Sequence, residues 1–453
     1  MSFASDCIAA LATPVGVSAL AVVRASGPGR AGLTEKIFGG SPLPRIARHA
    51  DYRDVSGQLI DDVVFIHYAG PKSYTGENLL EISCHGNPFI AQKILEDLYA
   101  RGCRPAEPGE FTKRAYLNGR IDLSQAEAVI DLIRARSERA LAAANTQLRG
   151  ALGREMESLN ALLVNILANV EAYIDFPEED LPPEDLQRMQ QDLAALRERT
   201  QRLIATNHYG AILRDGIKTV ILGEPNAGKS SLLNRLIGQE RALVGPDPGT
   251  TRDYLEESIL IGQHSLRLID TAGLNSCPSP LERRGIAKTL EQSALADLYL
   301  WVVDSTLPFS EIPQAIRARL RTSNAIVVFN KIDLLPEDTA SRLADKGDFA
   351  CVRLSALSGQ GIDKLCAAIV RLITLNDCAI DGELIAINAR HANSLATALA
   401  CIRNAQENLT SNAFKELLAS DLRLALAAFS EVSGKPNDAA VLDKLFSSYC
   451  IGK

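Results

Sequence analysis

The chain has few cysteines, and their spacing does not suit a cross-linked or metal-bound framework. Nine cysteines are scattered over 453 residues, an odd number without a Cys-x-x-Cys pair. Disulfide-stapled domains and zinc-binding modules carry cysteines in paired spacings. The pattern therefore argues against a disulfide framework and against a zinc site.

Long apolar runs and a leader sequence are also missing. No uninterrupted apolar run reaches about 18 residues, the length that a membrane-spanning helix needs. The first six residues, Met-Ser-Phe-Ala-Ser-Asp, lack the charged stretch and apolar core of a signal peptide. We expect a cytosolic protein.

An excess of positive charge is absent as well. The chain has 48 lysine and arginine residues against 55 aspartate and glutamate residues, so no basic field indicates nucleic-acid binding. Any RNA binding must rest on a local patch. The length allows about three domains.

The most informative stretch follows an apolar run. Residues 223–230 read Gly-Glu-Pro-Asn-Ala-Gly-Lys-Ser, which predicts a strand, a glycine-rich turn and a helix in that order. Such a turn points backbone N–H groups at phosphates; Lys229 adds positive charge, and the Ser230 hydroxyl can hold Mg²⁺. The candidate nucleotide contacts in this phosphate cradle are Asn226, Ala227, Gly228, Lys229, Ser230 and Ser231.

Three further motifs narrow the nucleotide to GTP. Residues 270–273 follow a strand-like run and would aim a carboxylate at Mg²⁺ and a glycine N–H at the γ-phosphate. Residues 330–333 offer the Asp333 carboxylate to two donors of guanine, and residues 355–357 would touch the base edge from the backbone. The candidate contacts are Asp270, Thr271, Ala272, Gly273, Asn330, Lys331, Asp333, Ser355, Ala356 and Leu357.

A polar, proline-broken segment over residues 245–253 lies between the cradle and residues 270–273. It is typical of a plain loop or of a switch loop. As a switch, it would place Thr251 on Mg²⁺ while the γ-phosphate is present and release it after hydrolysis.

Leu274 stands where a Ras-like enzyme carries the glutamine that orients the attacking water. Hydrolysis must therefore proceed differently. A potassium ion could be held by the side-chain oxygen of Asn226 and by loop carbonyls near Gly245 and Asp247, since a large, weakly hydrated cation suits neutral oxygens. Glu282 is a candidate catalytic acid, although spacing does not distinguish it from a solvated acid.

The sequence divides into four segments. Residues 1–118 carry short β-rich runs between glycine and proline turns, which predicts a small α+β domain. Residues 216–375 form the predicted α/β Ras-like G domain. Residues 119–215 and 376–453 show helical spacing, including a capping box at Ser124 and Glu127 and a helix continuing to about residue 150. One all-α domain interrupted by the G domain is the simplest account, with two separate bundles as the alternative.

The first segment also carries polar clusters over residues 74–77, 81–86 and 108–112. Their spacing does not indicate a catalytic site. A lone histidine such as His85 is typical of a partly buried structural residue. The residues alone therefore indicate no more than room for a second ligand site.

Seven stretches in order resemble the MnmE (TrmE) family of tRNA-modification GTPases, and together they cover essentially the whole chain. They are residues 6–10 with 23–28, 73–77, 108–118, 123–128, 249–253, 388–391 and the C-terminal Cys-Ile-Gly-Lys at 450–453. The resemblance implies a folate-binding N-terminal domain that also forms a homodimer. It departs from the family pattern at residues 275–280, in the second switch.

By motif position, the resemblance implies a formyl-tetrahydrofolate site at Arg24, Glu81, Arg120 and Lys453, with Cys450 beside it. It also implies potassium-dependent GTP hydrolysis and a complex with the FAD-dependent protein MnmG (GidA). That complex would add a (carboxymethyl)aminomethyl group to carbon 5 of the tRNA wobble uridine. The resulting assignments are Glu282, Lys229 and Thr251 for catalysis; Ser230 and Thr251 for Mg²⁺; Asn226, Gly245, Asp247 and Thr250 for K⁺; and Gly245, Thr250 and Thr251 also for GTP.

Two other functional classes remain open from the sequence. One is a ribosome-assembly GTPase of the Era or Der type, which would need a basic RNA-binding domain that this acidic chain does not evidently have. The other is a scaffold that uses GTP only to change shape.

Overall fold

The computed structural model describes residues 6–27, 31–40, 43–175, 186–240, 256–269, 296–308, 314–336, 349–377, 385–411, 415–434, 439–447 and 449–452. Proximity groups the chain into two compact units. The first comprises residues 1–130, 148–196 and 397–453, and the second comprises residues 131–147 and 197–396.

The first unit contains a mixed sheet with strand order β3-β4-β5-β2-β1-β6. Its strands are β1 (Cys7–Leu11), β2 (Ser18–Gly27), β3 (Ala47–Arg53), β4 (Leu59–Tyr68), β5 (Asn78–Gly86) and β6 (Cys103–Pro105). Neighbours run antiparallel except for the parallel pair β1 and β6. Helices α1 (Ala31–Phe38), α2 (Pro88–Ala100) and α3 (Glu110–Leu117) accompany it. The predicted α+β fold of the N-terminal segment is confirmed.

The core of this sheet follows from the alternation of its strands. Val23, Phe65 and Ile82 point to one face and pack with Ile94 and Leu98 of α2. Helix α2 begins where it does because the Asn87 side chain accepts a hydrogen bond from the Phe89 N–H, and Pro88 suits the first helical position.

The chain continues with helices of 8 to 30 residues. They are α4 (Leu123–Arg134), α5 (Glu138–Leu148), α6 (Ala151–Asp175), α7 (Leu186–Asp215) and, after the second sheet, α11 (Ala389–Thr410), α12 (Lys415–Ser433) and α13 (Ala439–Phe446). In the first unit α6 packs against α12. One face of α6 is apolar at helical spacing and is buried: Leu159, Leu163, Ile166 and Val170. Helix α6 precedes the second sheet in the sequence and α12 follows it. Their packing is expected for one interrupted helical domain rather than two separate bundles.

The predicted start of α4 is wrong in detail. Asp122, not Ser124, caps the helix: its carboxylate accepts from the Gln125 N–H at 2.7 Å, and the Gln125 side chain accepts from the Asp122 N–H at 2.9 Å. Ser124 is buried and donates to Asp122. The helix ends at Arg134 and α5 begins at Glu138, so the predicted continuous helix to residue 150 is two helices.

The second unit contains a six-stranded sheet with order β12-β11-β10-β7-β9-β8. The strands are β7 (Ile217–Leu222), β8 (Glu256–Ile261), β9 (His264–Ile269), β10 (Leu298–Asp304), β11 (Ala325–Asn330) and β12 (Ala350–Arg353), with helices α8 (Lys229–Glu240), α9 (Gln314–Arg317) and α10 (Ile362–Asp377). All neighbours are parallel except β8 and β9. The carboxyl ends of β7, β10, β11 and β12 therefore meet at one edge, where open α/β sheets bind ligands.

Both faces of this sheet are apolar. Ile221, Leu300 and Val328 belong to one buried cluster, whereas Val220 and Trp301 belong to the cluster on the opposite face. Burial on both faces explains why these strands read as continuous apolar runs. The multidomain fold class is confirmed; the domain boundaries at residues 118, 215 and 375 stay predictions. Among the described helices, none is long and apolar enough to cross a bilayer.

Candidate functional site

Two positions of the phosphate cradle require glycine because neighbouring parts of the protein leave no room for a Cβ atom. Gly223 has φ +148°, and a Cβ there would overlap the carbonyl oxygen of Val302 in β10. Gly228 has φ +92°, and a Cβ there would overlap Nδ2 of Asn330. Both positions thus need glycine, and the predicted order of strand, turn and helix is confirmed because α8 begins at Lys229.

Asn330 joins the cradle to the loop predicted to contact the base. Its Nδ2 donates to the carbonyl of Ala227 at 2.8 Å, and its Oδ1 accepts from the N–H of Ala356 at 2.9 Å. The residue is 2% exposed. Its observed bonds position the surrounding loops, and its predicted contact with GTP stays a prediction.

The cationic and polar groups of the cradle lie around its mouth. The ammonium of Lys229 donates to the carbonyls of Gly223 and Glu224 at 2.9 and 2.6 Å. Asn226 adopts φ 63° in the turn and is exposed, as is Ser230 in the first turn of α8. A helix N-terminus with unpaired N–H groups beside a lysine suits an anion, and a hydroxyl there suits a hydrated divalent cation. The residues present therefore fit a magnesium nucleotide.

The groups predicted to recognise the base lie at the ends of β11 and β12. Asp333 is exposed on a short 3-10 turn over Ile332–Leu334. Lys331 adopts φ 64°, and its Nζ lies 2.6 Å from Oδ2 of Asp304 at the end of β10. Burial acts to raise the pKa of Asp304, but hydrogen bonds from Lys331 and Thr306 hold it below its usual value. Asp304 is therefore a carboxylate that fixes the Lys331 side chain.

The loop over residues 355–357 is held from within and from α8. Ser355 is buried, and its hydroxyl accepts from the N–H of Ser358 at 3.1 Å. Arg235 donates from Nε to the carbonyl of Ala356 at 3.2 Å and from its terminal nitrogen to that of Leu357. Arg235 was not anticipated, because no motif marks it and its role depends on a contact between distant parts of the chain.

Several predicted residues lie outside the described residues. They are Gly245, Asp247, Thr250, Thr251, Asp270, Thr271, Ala272, Gly273, Glu282 and Lys453. The described part of the nucleotide site thus comprises the cradle, residues 330–333 and residues 355–357.

Arg24 and Glu81, predicted for the second ligand site, form an ion pair. They are register partners on β2 and β5, with Nε to Oε1 at 2.7 Å, and each side chain is about one-fifth exposed, 21% and 20%. The Tyr68 hydroxyl donates to Glu81 at 3.3 Å, and Arg24 also donates to the carbonyl of Gly452 at 3.4 Å. Burial, followed by the charge of Glu81, raises the pKa of Tyr68. The penultimate residue of the chain therefore lies at this pair.

Arg120 contacts a different segment, donating from Nε to the carbonyl of Ser73 at 3.2 Å. A paired carboxylate and guanidinium suit a ligand that presents both ring donors and carboxylates, as a folate does. The exposed fractions of Arg24 and Glu81 leave polar atoms accessible. The residues present fit such a ligand.

A network of charges beside this site was missed by sequence reasoning. Arg104 lies 2.6 Å from both Asp6 and Glu110, and Arg114 lies 2.9 Å from Glu110 and 3.1 Å from Glu77. Burial acts to raise the pKa of Glu110, but hydrogen bonds from Arg104, a backbone N–H and Arg114 hold it below its usual value. The polar clusters over residues 74–77 and 108–112 contain two of its members, Glu77 and Glu110.

His85 differs from its predicted environment. Its side chain is 67% exposed, and its Nδ1 lies 2.8 Å from Oδ1 of Asp61. Burial acts to raise the pKa of Asp61, but hydrogen bonds from His85 hold it below its usual value. His85 is therefore a surface residue paired with a less exposed carboxylate.

Two family models match the chain. One, described as the MnmE helical domain, matches residues 123–450. The other, described as the GTP-binding protein TrmE N-terminus, matches residues 7–120. Both matched ranges thus carry the names of domains of one family.

Individual relatives match along their full length. The tRNA modification GTPase MnmE of Opitutus terrae is 54% identical over 448 residues, covering 99% of both chains. MnmE of Akkermansia muciniphila is 41% identical over 455 residues, covering 98% of both. A solved GTP-binding protein from Sulfolobus solfataricus in complex with GDP is 18% identical and covers 60% of this chain and 79% of its own, but its TM-score of 0.25 carries no argument.

The resemblance predicted from the seven sequence stretches is confirmed by these matches, and so is the class of enzyme. This chain belongs to the MnmE family of tRNA modification GTPases.

Proposed function

We propose that this protein hydrolyses GTP and, together with the FAD-dependent protein MnmG, adds a (carboxymethyl)aminomethyl group to carbon 5 of the tRNA wobble uridine. The proposal that GTP binds here rests on the side chain of Asn330. It bonds to Ala227 in the phosphate cradle and to Ala356 in the base loop, the loop over residues 355–357. These two bonds hold the phosphate and base sites in fixed relation. Membership of the family supports the tRNA part.

In this proposal the cradle binds the phosphates and the base loops select guanine. Lys229 exchanges its bonds to the Gly223 and Glu224 carbonyls for the phosphates, and the Ser230 hydroxyl binds Mg²⁺ with Thr251. Asp333, which is exposed, accepts two hydrogen bonds from guanine.

Hydrolysis relies on replacements for the missing glutamine at position 274. Asn226 holds potassium together with Gly245, Asp247 and Thr250, and Glu282 orients the attacking water indirectly. The exposed position of Asn226 in the cradle turn supports the first assignment. Bound potassium supplies positive charge where other GTPases use an arginine finger.

A folate supplies the one-carbon unit, bound by Arg24, Glu81, Arg120 and Lys453. The arginines face its carboxylates, and the Glu81 carboxylate accepts from the pterin ring. The contact of Arg24 with the Gly452 carbonyl supports a role for the C-terminus in closing this site. We further propose a cytoplasmic homodimer that joins MnmG in a heterotetramer and binds tRNA.

Reconstitution tests the whole proposal. The purified chain is combined with MnmG, FAD, 5-formyltetrahydrofolate, an amine donor, unmodified tRNA and GTP, in potassium or sodium buffer. A hydride donor is added to supply the two electrons that reduce the formyl carbon to the methylene level. Phosphate release and the modified nucleoside should both appear in potassium and fall together in sodium. Phosphate release without any nucleoside change would favour an assembly GTPase or a scaffold, and equal rates in both buffers would exclude the potassium site.

A further inference from the structure

We propose that Cys7 and Cys103 form a reversible disulfide under oxidation, making the N-terminal sheet a redox-modification site. Their Sγ atoms lie 3.0 Å apart, closer than ordinary van der Waals contact between sulfurs, although the two residues are 96 positions apart in sequence. Both are thiols in this structure, 4% and 6% exposed.

The backbone already has the geometry that a disulfide needs. Cys7 in β1 and Cys103 in β6 are register partners in the parallel strand pair. Neighbouring strands lie about 4.8 Å apart, and a disulfide spans Cα separations of about 4.4 to 6.8 Å. Register partners point to the same face of a sheet, so the bond requires a small movement of side chains and no change of strand pairing.

Access comes from the edge of the sheet. β6 is the terminal strand, only three residues long, and it pairs with β1 alone in the described sheet. Short edge strands open locally at low free-energy cost compared with central strands. A small peroxide can therefore reach the pair without unfolding the domain.

The reaction balances with a hydroperoxide as the oxidant. The thiolate of one cysteine attacks a peroxide oxygen, which breaks the O–O bond, forms a sulfenic acid and releases water. The second thiol attacks that sulfur, the S–O bond breaks, and a second water leaves with the remaining proton. In total the two thiols lose two electrons and two protons, and one hydrogen peroxide becomes two waters.

The bond would lie beside the charge network of Asp6, Arg104, Glu110 and Arg114. Asp6 precedes Cys7, Arg104 follows Cys103, and their side chains form an ion pair at 2.6 Å. A covalent link between the adjacent residues would fix the spacing of that pair and close a loop of nearly the whole N-terminal domain. Closing a loop of about 100 residues constrains the unfolded chain strongly.

The test uses the full chain, reduced and then treated with hydrogen peroxide before alkylation with N-ethylmaleimide and peptide mass spectrometry. We expect a peptide linking Cys7 to Cys103, lighter by two hydrogens than the sum of its parts and lost after dithiothreitol. The melting temperature of the oxidised protein should rise by about 5 °C.

Cys84 provides the matched control. It is buried in the same core and lies in β5, opposite Ala21 of β2. Ala21 is six residues from the end of β2 that lies beside Cys7, so Cys84 is about 20 Å from Cys7. Cys84→Ala should keep the linked peptide and the temperature shift, whereas Cys103→Ser should lose both.

Exposed Cys450 reports whether oxidation took place. Recovery of Cys7 and Cys103 as N-ethylmaleimide adducts in wild-type protein whose Cys450 is oxidised would overturn the proposal. So would a peptide that links either residue to a different cysteine. Both outcomes are read from wild-type protein and do not depend on the folding of a variant.

Discussion

Nδ2 of Asn330 occupies the space where the Cβ of any other residue at position 228 would lie. The φ of Gly228, +92°, is also one that residues with a side chain rarely adopt. The same amide nitrogen donates to the carbonyl of Ala227 at 2.8 Å. The glycine of the phosphate cradle is thus required by a side chain that also holds the base loop. In the proposed GTP site, phosphate and base recognition would therefore be coupled through the side chain of Asn330.

Gly228→Ala should strongly weaken GTP binding while leaving the fold intact. The added methyl must displace Asn330, which breaks its bonds to Ala227 and Ala356. We expect an affinity loss of at least about 100-fold, measured with a fluorescent GTP analogue.

Gly238→Ala is the control for that change. Gly238 is exposed in the same helix α8, and no neighbouring atom lies within 4 Å of the position that an alanine Cβ would occupy. Alanine there should keep GTP affinity and stabilise the helix by about 0.5 to 1 kcal/mol. Equal affinity in the two variants would contradict the coupling.

Asp333→Asn should change the preferred base. The carboxylate is exposed. In the proposed function it accepts hydrogen bonds from two donors of guanine, whereas an asparagine can donate to the additional carbonyl of xanthine. GTP affinity should fall about 100-fold, and xanthosine triphosphate should restore turnover. Asp363→Asn, at an exposed carboxylate in the first turn of α10, should leave the base preference unchanged.

Glu110→Gln should reduce the acid sensitivity of the N-terminal domain. The pKa of Glu110 is lower in the folded protein than its usual 4.5, so its ion pairs stabilise fully above that value. This stability is lost as the pH falls through the lower folded pKa. Wild-type melting temperature should therefore drop below about pH 4.5.

The variant should melt lower at pH 7, by an amount corresponding to about 3 kcal/mol, because Arg104 and Arg114 lose a buried partner. Its melting temperature should also change less in acid. A variant that matched wild type at both pH values would show that the network does not stabilise the domain.

Arg24→Gln should weaken folate binding more than it affects stability. Its guanidinium pairs with Glu81 and is one-fifth exposed, so it can reach a ligand carboxylate. Affinity for 5-formyltetrahydrofolate, measured by calorimetry, should fall at least about 10-fold. Arg48→Gln, at an exposed position on β3, is the control and should bind as wild type does.

The position of the cradle turn, after β7 and before α8, could be predicted from the sequence because strand, turn and helix are adjacent in the chain. A phosphate-binding turn is specified locally by its glycines and lysine. The cap of α4 was predicted two residues late, because Asp122 and Ser124 both suit an N-cap and only the structure shows that Asp122 accepts the Gln125 N–H. Local patterns do not contain that information.

Contacts between distant residues account for what the sequence could not reveal. Arg235 reaches the carbonyl of Ala356 from a helix more than 100 residues earlier. Arg114 pairs with the carboxylates of Asp6 and Glu77, which lie outside the strands, and with Glu110 of its own helix. Asn330 was identified by its motif, but its partners Ala227 and Ala356 depend on the packing of β7, β11 and β12. The motifs predicted which residues contact GTP, whereas the hydrogen bonds between the loops depend on how the fold brings them together.

Wobble-uridine nucleosides in a strain whose own copy of the gene is deleted provide the most direct measurement. Complementation with this chain should restore the modification at carbon 5, read by mass spectrometry of digested tRNA. Lys229→Ala, which removes the ammonium from the cradle, should leave the uridine unmodified although the protein accumulates. Unmodified uridine with the wild-type chain, or full modification with Lys229→Ala, would contradict the account.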